Sequence, residues 1–205
     1  MSTPNHIPAP RTASAERTTK ETKIRGQITL DGTGAADVVT GIGFLDHMLT
    51  ALAVHSRINL TLHCTGDLQV DDHHTVEDCA IVLGQLVDKA LGDRTGITRY
   101  GFAYAPLDEA LARTVIDLCT RPTCGCDLRL IREKIGDLSC ENIPHFFATL
   151  ATSARITLHV DVLKGVNDHH KAEAAFKSLA LALRQAIAPD ATLGRGVAAS
   201  TKGAL

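Results

Sequence analysis

Tryptophan is absent from this sequence, and aromatic residues of every kind make up only 3% of it. The interior must therefore be filled by Leu, Ile, Val and Ala, and there is little provision for stacking against nucleic-acid bases. An excess of charge of one sign is missing too: 21 Lys and Arg stand against 23 Asp and Glu, a formal net charge of −2. Lys and Arg nowhere gather into a run, so a polyanion meets no cationic field and nucleic acid is excluded as a partner. Long apolar runs are also lacking. None approaches the roughly 20 residues a helix needs to cross a bilayer, and the opening MSTPNHIPAPRTASAERTTKET has no apolar signal core. A membrane partner is set aside on the same ground. Six cysteines occur without one C-x-x-C pair, which fits buried thiols in a reducing cytosol. What is present, 205 residues of which 44% are hydrophobic, predicts a cytoplasmic globular protein acting on small molecules, with residues 1–16 as a disordered tail.

The chain is written twice, with a period of about 97 residues. The first copy runs through Asp46-His47-Met48-Leu49, Arg57-Ile58-Asn59-Leu60-Thr61-Leu62-His63 and Asp72-His73-His74-Thr75-Val76-Glu77. The second runs through Pro144-His145-Phe146-Phe147, Arg155-Ile156-Thr157-Leu158-His159-Val160 and Asp168-His169-His170-Lys171-Ala172-Glu173. So long a period points to duplicated lobes rather than a solenoid. In each copy a helical pattern follows the single His, as with Leu49, Leu52 and Ala53. A strand with period-two alternation comes next: Ile58, Leu60, Leu62 and Cys64, or Ile156, Leu158, Val160 and Val162. Then the double His opens a second helix with an apolar stripe, Val76, Cys79, Ala80, Leu83, Val87 and Ala90, or Ala172, Ala175, Phe176, Leu179 and Leu183. Strand-like stretches at Thr22 to Leu30 and Leu111 to Leu118 stand ahead of the units. The grammar predicts an α+β protein of two lobes, 17–97 and 98–190, and a C-terminal tail over 191–205.

Adjacent helical residues point about 100° apart, so the two His of each pair serve two ions more easily than one, and either can share with the Glu a turn later. With His47 and His145 upstream, eight donors divide into two sets of three His and one Glu. Several imidazoles with one carboxylate suit Mn, Fe, Zn or Ni rather than Ca or Mg. The bland alternative makes Asp72 and Asp168 helix caps and the Glu residues partners of helix dipoles; its repetition at matching places argues against it. His63 and His159 fall on polar strand faces and read as solvated, and His6 lies in the tail.

Over residues 17–205 the sequence resembles the imidazoleglycerol-phosphate dehydratase family, lyases of histidine biosynthesis. The likeness is carried by Thr19-Lys20-Glu21-Thr22, Leu30-Asp31-Gly32-Thr33-Gly34, Gly43-Phe44-Leu45-Asp46-His47-Met48-Leu49, Asp71-Asp72-His73-His74-Thr75-Val76-Glu77-Asp78, Ala105-Pro106-Leu107-Asp108-Glu109-Ala110, His145-Phe146-Phe147, His169-His170-Lys171-Ala172-Glu173-Ala174-Ala175-Phe176-Lys177 and Ser200-Thr201-Lys202-Gly203. Two departures stand out. Leu118 to Cys126 holds three cysteines where Ser or aromatic residues are usual, and Ala199 replaces a usual Pro. Cys124 and Cys126 read as packing residues rather than a soft metal site.

The resemblance implies duplicated sheet and helix lobes like the second domain of ribosomal protein S5, two Mn2+ per site, and a homo-oligomer of 24 subunits with sites between them. It assigns His47, His74, Glu77 and His169 to one ion, and His73, His145, His170 and Glu173 to the other. It further implies dehydration of D-erythro-1-(imidazol-4-yl)glycerol 3-phosphate to 3-(imidazol-4-yl)-2-oxopropyl phosphate through a di-metal-bound imidazolate. Glu21 is the leading candidate for proton transfer, with Glu173 second; Asp108 and Glu109 are lesser candidates with a structural role as the alternative. The substrate is expected to meet Glu21, His47, His55, His73, Glu77, His169 and Glu173, with Arg99, Arg121, Lys177, Ser200, Thr201 and Lys202 toward its phosphate. A di-metal hydrolase and a non-catalytic metal-binding shell protein are the rival readings.

Overall fold

The computed structural model describes residues 9–193 and 196–203. Residues 1–8, half of the expected tail and with them His6, lie outside these. The chain runs β1 (Thr12–Thr18), β2 (Thr22–Thr29), β3 (Ala36–Val39), α1 (Gly43–Ser56), β4 (Asn59–Gly66) and α2 (His73–Leu91). It then repeats the series as β5 (Tyr100–Leu107), β6 (Ala110–Asp117), β7 (Thr123–Asp127), a small hairpin of β8 (Lys134–Ile135) and β9 (Leu138–Ser139), α3 (Asn142–Ser153), β10 (Thr157–Lys164) and α4 (Asp168–Ala186).

The duplication is complete at the level of topology. One sheet has the order β1-β2-β4-β3, the other β5-β6-β10-β7. In each the first two contacts are antiparallel and the last is parallel. Alternation explains the sheets: Ile24, Ile28, Leu60 and Leu62 turn inward in the first, and Ala112, Ile116, Leu158 and Val160 in the second, all nearly inaccessible. Leaving the helix, the chain turns through left-handed Arg57 (φ 65°) in one lobe and Arg155 (φ 54°) in the other, which aims it back along the sheet.

The helices form a middle layer between the two sheets. The long helix of each lobe lies on its own sheet, α2 on β1 and β2, α4 on β5 and β6, while α1 packs on α4 and α2 on α3 across the lobes. The expected lobes thus share one continuous core. Three of the five Phe are spent there, with the Phe146 and Phe147 rings 5.3 and 4.8 Å from Phe176.

Two local expectations need correction. Residues 12–16 are part of β1, paired in register with β2 from Thr12↔Thr29 to Thr18↔Lys23, rather than part of a tail. Ala13 and Ala15 are too small to give a legible alternation, and the strand is held by its partner's backbone. Also, α1 begins at Gly43, before His47. Glycine is a poor helix former, but Asp46 closes this turn by accepting from Thr40 N and Oγ1 at 2.8 and 2.6 Å. Among the described residues no helix is long and apolar enough to cross a membrane. All six cysteines are free; Cys124 and Cys126 pack against the core, and burial pushes the Cys126 thiol up to about 12, which disfavours the thiolate a metal needs.

Candidate metal centre

Two groups of metal-competent donors form, one on each pair of packed helices. On α1 and α4, His47, His169 and Glu173 offer ligand atoms all within 4.8 Å of one another. Glu173 Oε2 accepts from Nε2 of His47 at 3.3 Å and of His169 at 3.2 Å, and Oε1 meets Lys177 Nζ at 2.8 Å. Burial pushes the Glu173 carboxyl up, but Lys177 and His47 outweigh it and hold the group below its ordinary range. Phe44 backs the His169 ring at 4.9 Å. His55, near the end of α1, titrates low because burial and the Lys177 charge both oppose its protonation. On α2 and α3, His73, Glu77 and His145 form the matching group. His145 Nε2 donates to Glu77 Oε1 at 3.0 Å, His73 Nδ1 donates to Asn142 Oδ1 at 3.0 Å, and the His73 and His145 rings stack 4.8 Å apart.

The second His of each pair faces elsewhere. The rings of His73 and His74 stand at 77° and those of His169 and His170 at 87°, as side chains stepping around a helix must. His74 Nδ1 lies 3.1 and 3.2 Å from the two oxygens of Asp67, and its Nε2 lies 3.7 Å from Glu21 Oε1. His170 Nδ1 donates to Glu109 Oε2 at 2.7 Å, with Asp108 3.7 Å from Nε2. The Asp67 hydrogen bond raises the His74 pKa and the Glu109 bond that of His170. Glu109 itself is lowered to about 2, first by the backbone N–H of Asn167 and then by His170.

The capping alternative is not what the aspartates do. Asp72 makes no side-chain cap; its carboxylate accepts from Ser139 N and Oγ, both at 2.7 Å, and so ties α2 to β9. In the second lobe Asn167 caps the helix by accepting from His169 N, while Asp168 accepts from Ile131 N, Arg132 N and Lys171 Nζ. Both aspartates pin the chain that leads into α3.

The remaining expected substrate residues fall into two places. Arg99, Arg121, Ser200, Thr201 and Lys202 line one open cleft with Tyr100 and Ala199. Arg99 is committed there: it grips Asp117 through Nε and NH2 at 2.7 and 3.0 Å and donates to Ala199 O at 2.5 Å, so it moors the tail. Arg121 is two-thirds exposed and lies 3.8 Å from Asp117. Lys177 belongs instead with Glu173.

A family model for imidazoleglycerol-phosphate dehydratase matches residues 40–183, which include all eight His and Glu donors. The imidazoleglycerol-phosphate dehydratase of Phaffia rhodozyma is 56% identical over 200 residues, covering 95% of this chain and 96% of that one. The chain belongs to the imidazoleglycerol-phosphate dehydratase family. The enzyme of that name from Phytophthora nicotianae is 57% identical over 195 residues; the match takes in 95% of this chain but 42% of that much longer relative. The one from Salinibacter ruber is 51% identical over 205 residues and the whole of both chains. Crystal structures of the dehydratases from Staphylococcus aureus and Pyrococcus furiosus superpose with a TM-score of 0.79 each, at 37% and 35% identity, covering 87% and 93% of this chain and 99% and 100% of theirs.

Within this family frame the donor chemistry fits a divalent transition metal: each group joins two imidazoles to one carboxylate on rigid helices, and imidazole suits Zn, Fe and Ni while carboxylate suits Mn. The in-chain grouping differs from the partition that the resemblance implies, for Glu173 lies with His47 and His169, and Glu77 with His73 and His145. Reading the sequence missed Phe44, Asn142 and Asp67 as neighbours of the centre. No spacing links Asn142 to His73, or Asp67 to a histidine one turn beyond a strand end; only folding joins them.

Proposed function

We propose that this chain catalyses the dehydration step of histidine biosynthesis, converting D-erythro-1-(imidazol-4-yl)glycerol 3-phosphate to 3-(imidazol-4-yl)-2-oxopropyl phosphate, as a cytoplasmic hydro-lyase with two Mn2+ per site. The observation that carries this reading is the pair of matching His/His/Glu groups on packed helices in a chain of this family. Each group is one or two donors short of a full shell, and the second His of each motif is turned away from it. We therefore read the site as shared between copies: His47 and His169 of one copy with His74 and Glu77 of another, and His73 and His145 of that other copy with His170 and Glu173 of the first. That restores the partition implied by the resemblance, and it is a head-to-tail contact of the kind that closes into symmetric assemblies, which we take to be the 24-subunit form. Partial exposure of His47, His169 and His145 supports it, since exposed imidazoles on stiff helices await a covering surface.

When bound, the ions supply Lewis acidity and a template for an azole ring. The protein's own groups do the rest. Glu21, beside His74, is exposed and placed to take the proton of a C–H bond that no carbonyl acidifies and to return a proton to the departing hydroxyl. Glu173, held as a carboxylate by Lys177, is a ligand first and a proton carrier second. Arg121, Ser200, Thr201 and Lys202 offer cations and hydroxyls to a phosphate, with Arg99 keeping the tail in place. The test is turnover of imidazoleglycerol phosphate by metal-stripped protein reloaded with Mn, Zn or Mg. Acetol phosphate formed only with a transition metal is the expected result; release of inorganic phosphate without it would favour a hydrolase, and overturn this reading.

A further inference from the structure

We propose that Asp67 and Glu109 are positioning residues that hold His74 and His170 through Nδ1, so that each ring presents Nε2 as a ligand, and that this division of labour leaves Glu21 free for proton transfer. The inference rests on the reading of His74 and His170 as metal ligands.

The argument starts from the duplication. Glu21 directly precedes the first residue of β2, and Glu109 directly precedes the first residue of β6. These strands hold the same place in their sheets and join the same neighbours in the same senses. The two glutamates are therefore counterparts, one at each hairpin turn, and each lies beside the second His of its own lobe's motif. Their surroundings have diverged. Both oxygens of Glu109 are occupied: Oε1 accepts from Val166 N and Asn167 N at 3.1 and 2.9 Å, and Oε2 from His170 Nδ1 at 2.7 Å. A carboxylate fixed by two backbone donors cannot swing, so it sets both the tautomer and the plane of the ring it touches. The Glu21 carboxylate accepts no hydrogen bond among the described residues, and its nearest contact to His74 is at Nε2, 3.7 Å away. In the first lobe the Nδ1 partner comes from the connection between β4 and α2, where Asp67 offers both oxygens within 3.2 Å. One lobe thus uses its hairpin glutamate to aim a ligand; the other gives that task to an aspartate and leaves the glutamate carboxylate without a hydrogen bond among the described residues.

The experiment measures Mn2+ binding to stripped wild-type and variant protein by calorimetry and by the loss of the free-ion electron paramagnetic resonance signal, alongside kcat and KM. Loss of an orienting partner costs about 10–100-fold in metal affinity, so Asp67→Ala and Glu109→Ala are each expected to weaken one of two ions by that factor. Asp67→Asn, which still accepts from Nδ1, is expected to recover most of it. Because Glu109 also holds the loop before α4, the double variant Glu109→Ala/His170→Ala is compared with His170→Ala alone: equal loss means that Glu109 acts through the ring, additive loss that it supports only the fold. Glu21→Gln is expected to keep both ions and lose kcat. Two tight ions in both alanine variants, additive losses, or no recovery in Asp67→Asn would overturn the inference. A wild-type chain that binds no Mn2+ at all would instead defeat the metal reading beneath it.

Discussion

At the scale of residues, the centre depends on which way adjacent imidazoles face. Each double-His motif sends its first ring toward a single His and a Glu on the packed helices, and its second toward a carboxylate from a loop. This makes His74 and Glu21 separable although they are 3.7 Å apart. His74→Ala is expected to lose metal and turnover together, whereas Glu21→Gln should retain metal and lose about 10²-fold or more in kcat, the usual worth of a positioned acid or base; metal-dependent activity surviving in His74→Ala would sink the ligand assignment. Lys202→Ala, in the cleft below Arg99, should raise KM by about tenfold with kcat little changed, as expected for a binding contact made equally in ground and transition states. Initial rates across substrate concentration distinguish the two patterns. The candidate donors that gather in the two groups were legible in the sequence because repetition marked them. Of their neighbours only Glu109 was singled out; Asp67 and Asn142 carry no spacing that distinguishes them from surface groups.

At the scale of elements, close approach of backbone decides where the helices carrying the ligands lie. A Cβ on Gly101 would meet Ala182 O at 2.0 Å, so β5 and α4 touch backbone to backbone only because this position is glycine. Gly84 does the same for α2 against α3, where an added Cβ would lie 2.5 Å from Ser153 Cβ and 2.8 Å from Ala154 N. Gly101→Ala must push α4 off its sheet, at a cost of about 1–3 kcal/mol for overpacking, and should weaken metal binding as well, because Glu173, His169 and His170 all ride on α4. Urea midpoints and metal titration on the same preparation check both; a variant as stable as its parent would show that the helix shifts freely. Strand and long-helix positions were readable from alternation and apolar stripes. The start of α1 and the existence of β1 were not, because a glycine-initiated turn and a strand whose inward positions are alanines acquire their stability from Thr40 and from β2.

At the scale of the whole molecule, two sheets enclose one layer of four helices, and contacts between lobes hold it together. Arg11 reaches across, donating to Asp31 through Nε and NH2 and to Ile187 O beyond α4. The Arg11 side chain first, against some burial, holds Asp31 below the ordinary carboxyl value of 3.8. A lowered folded-state pKa stabilises above the unfolded value and ceases to do so as pH falls through the folded one. Asp31→Asn should therefore be less stable than the parent by about 0.2–1 kcal/mol at pH 7, the range of a solvent-accessible pair, and the gap should close as pH falls below 3.8; a gap independent of pH would contradict the assignment. If sites are shared between copies, His47→Ala and His74→Ala, each inactive alone, should regain partial activity after dissociation and joint reassembly, since each supplies the half-site the other lacks. No recovery in verified mixed oligomers would place both halves in one copy. The sequence by itself determined the repeat, the α+β elements and the six donors that gather in two groups, because periodicity and motif duplication are local properties written in consecutive residues. Only the tertiary structure decided which donors meet, which carboxylate lies beside which ring, and that the lobes share one core, because those depend on helices from opposite halves packing together and on backbone approaches that no spacing encodes.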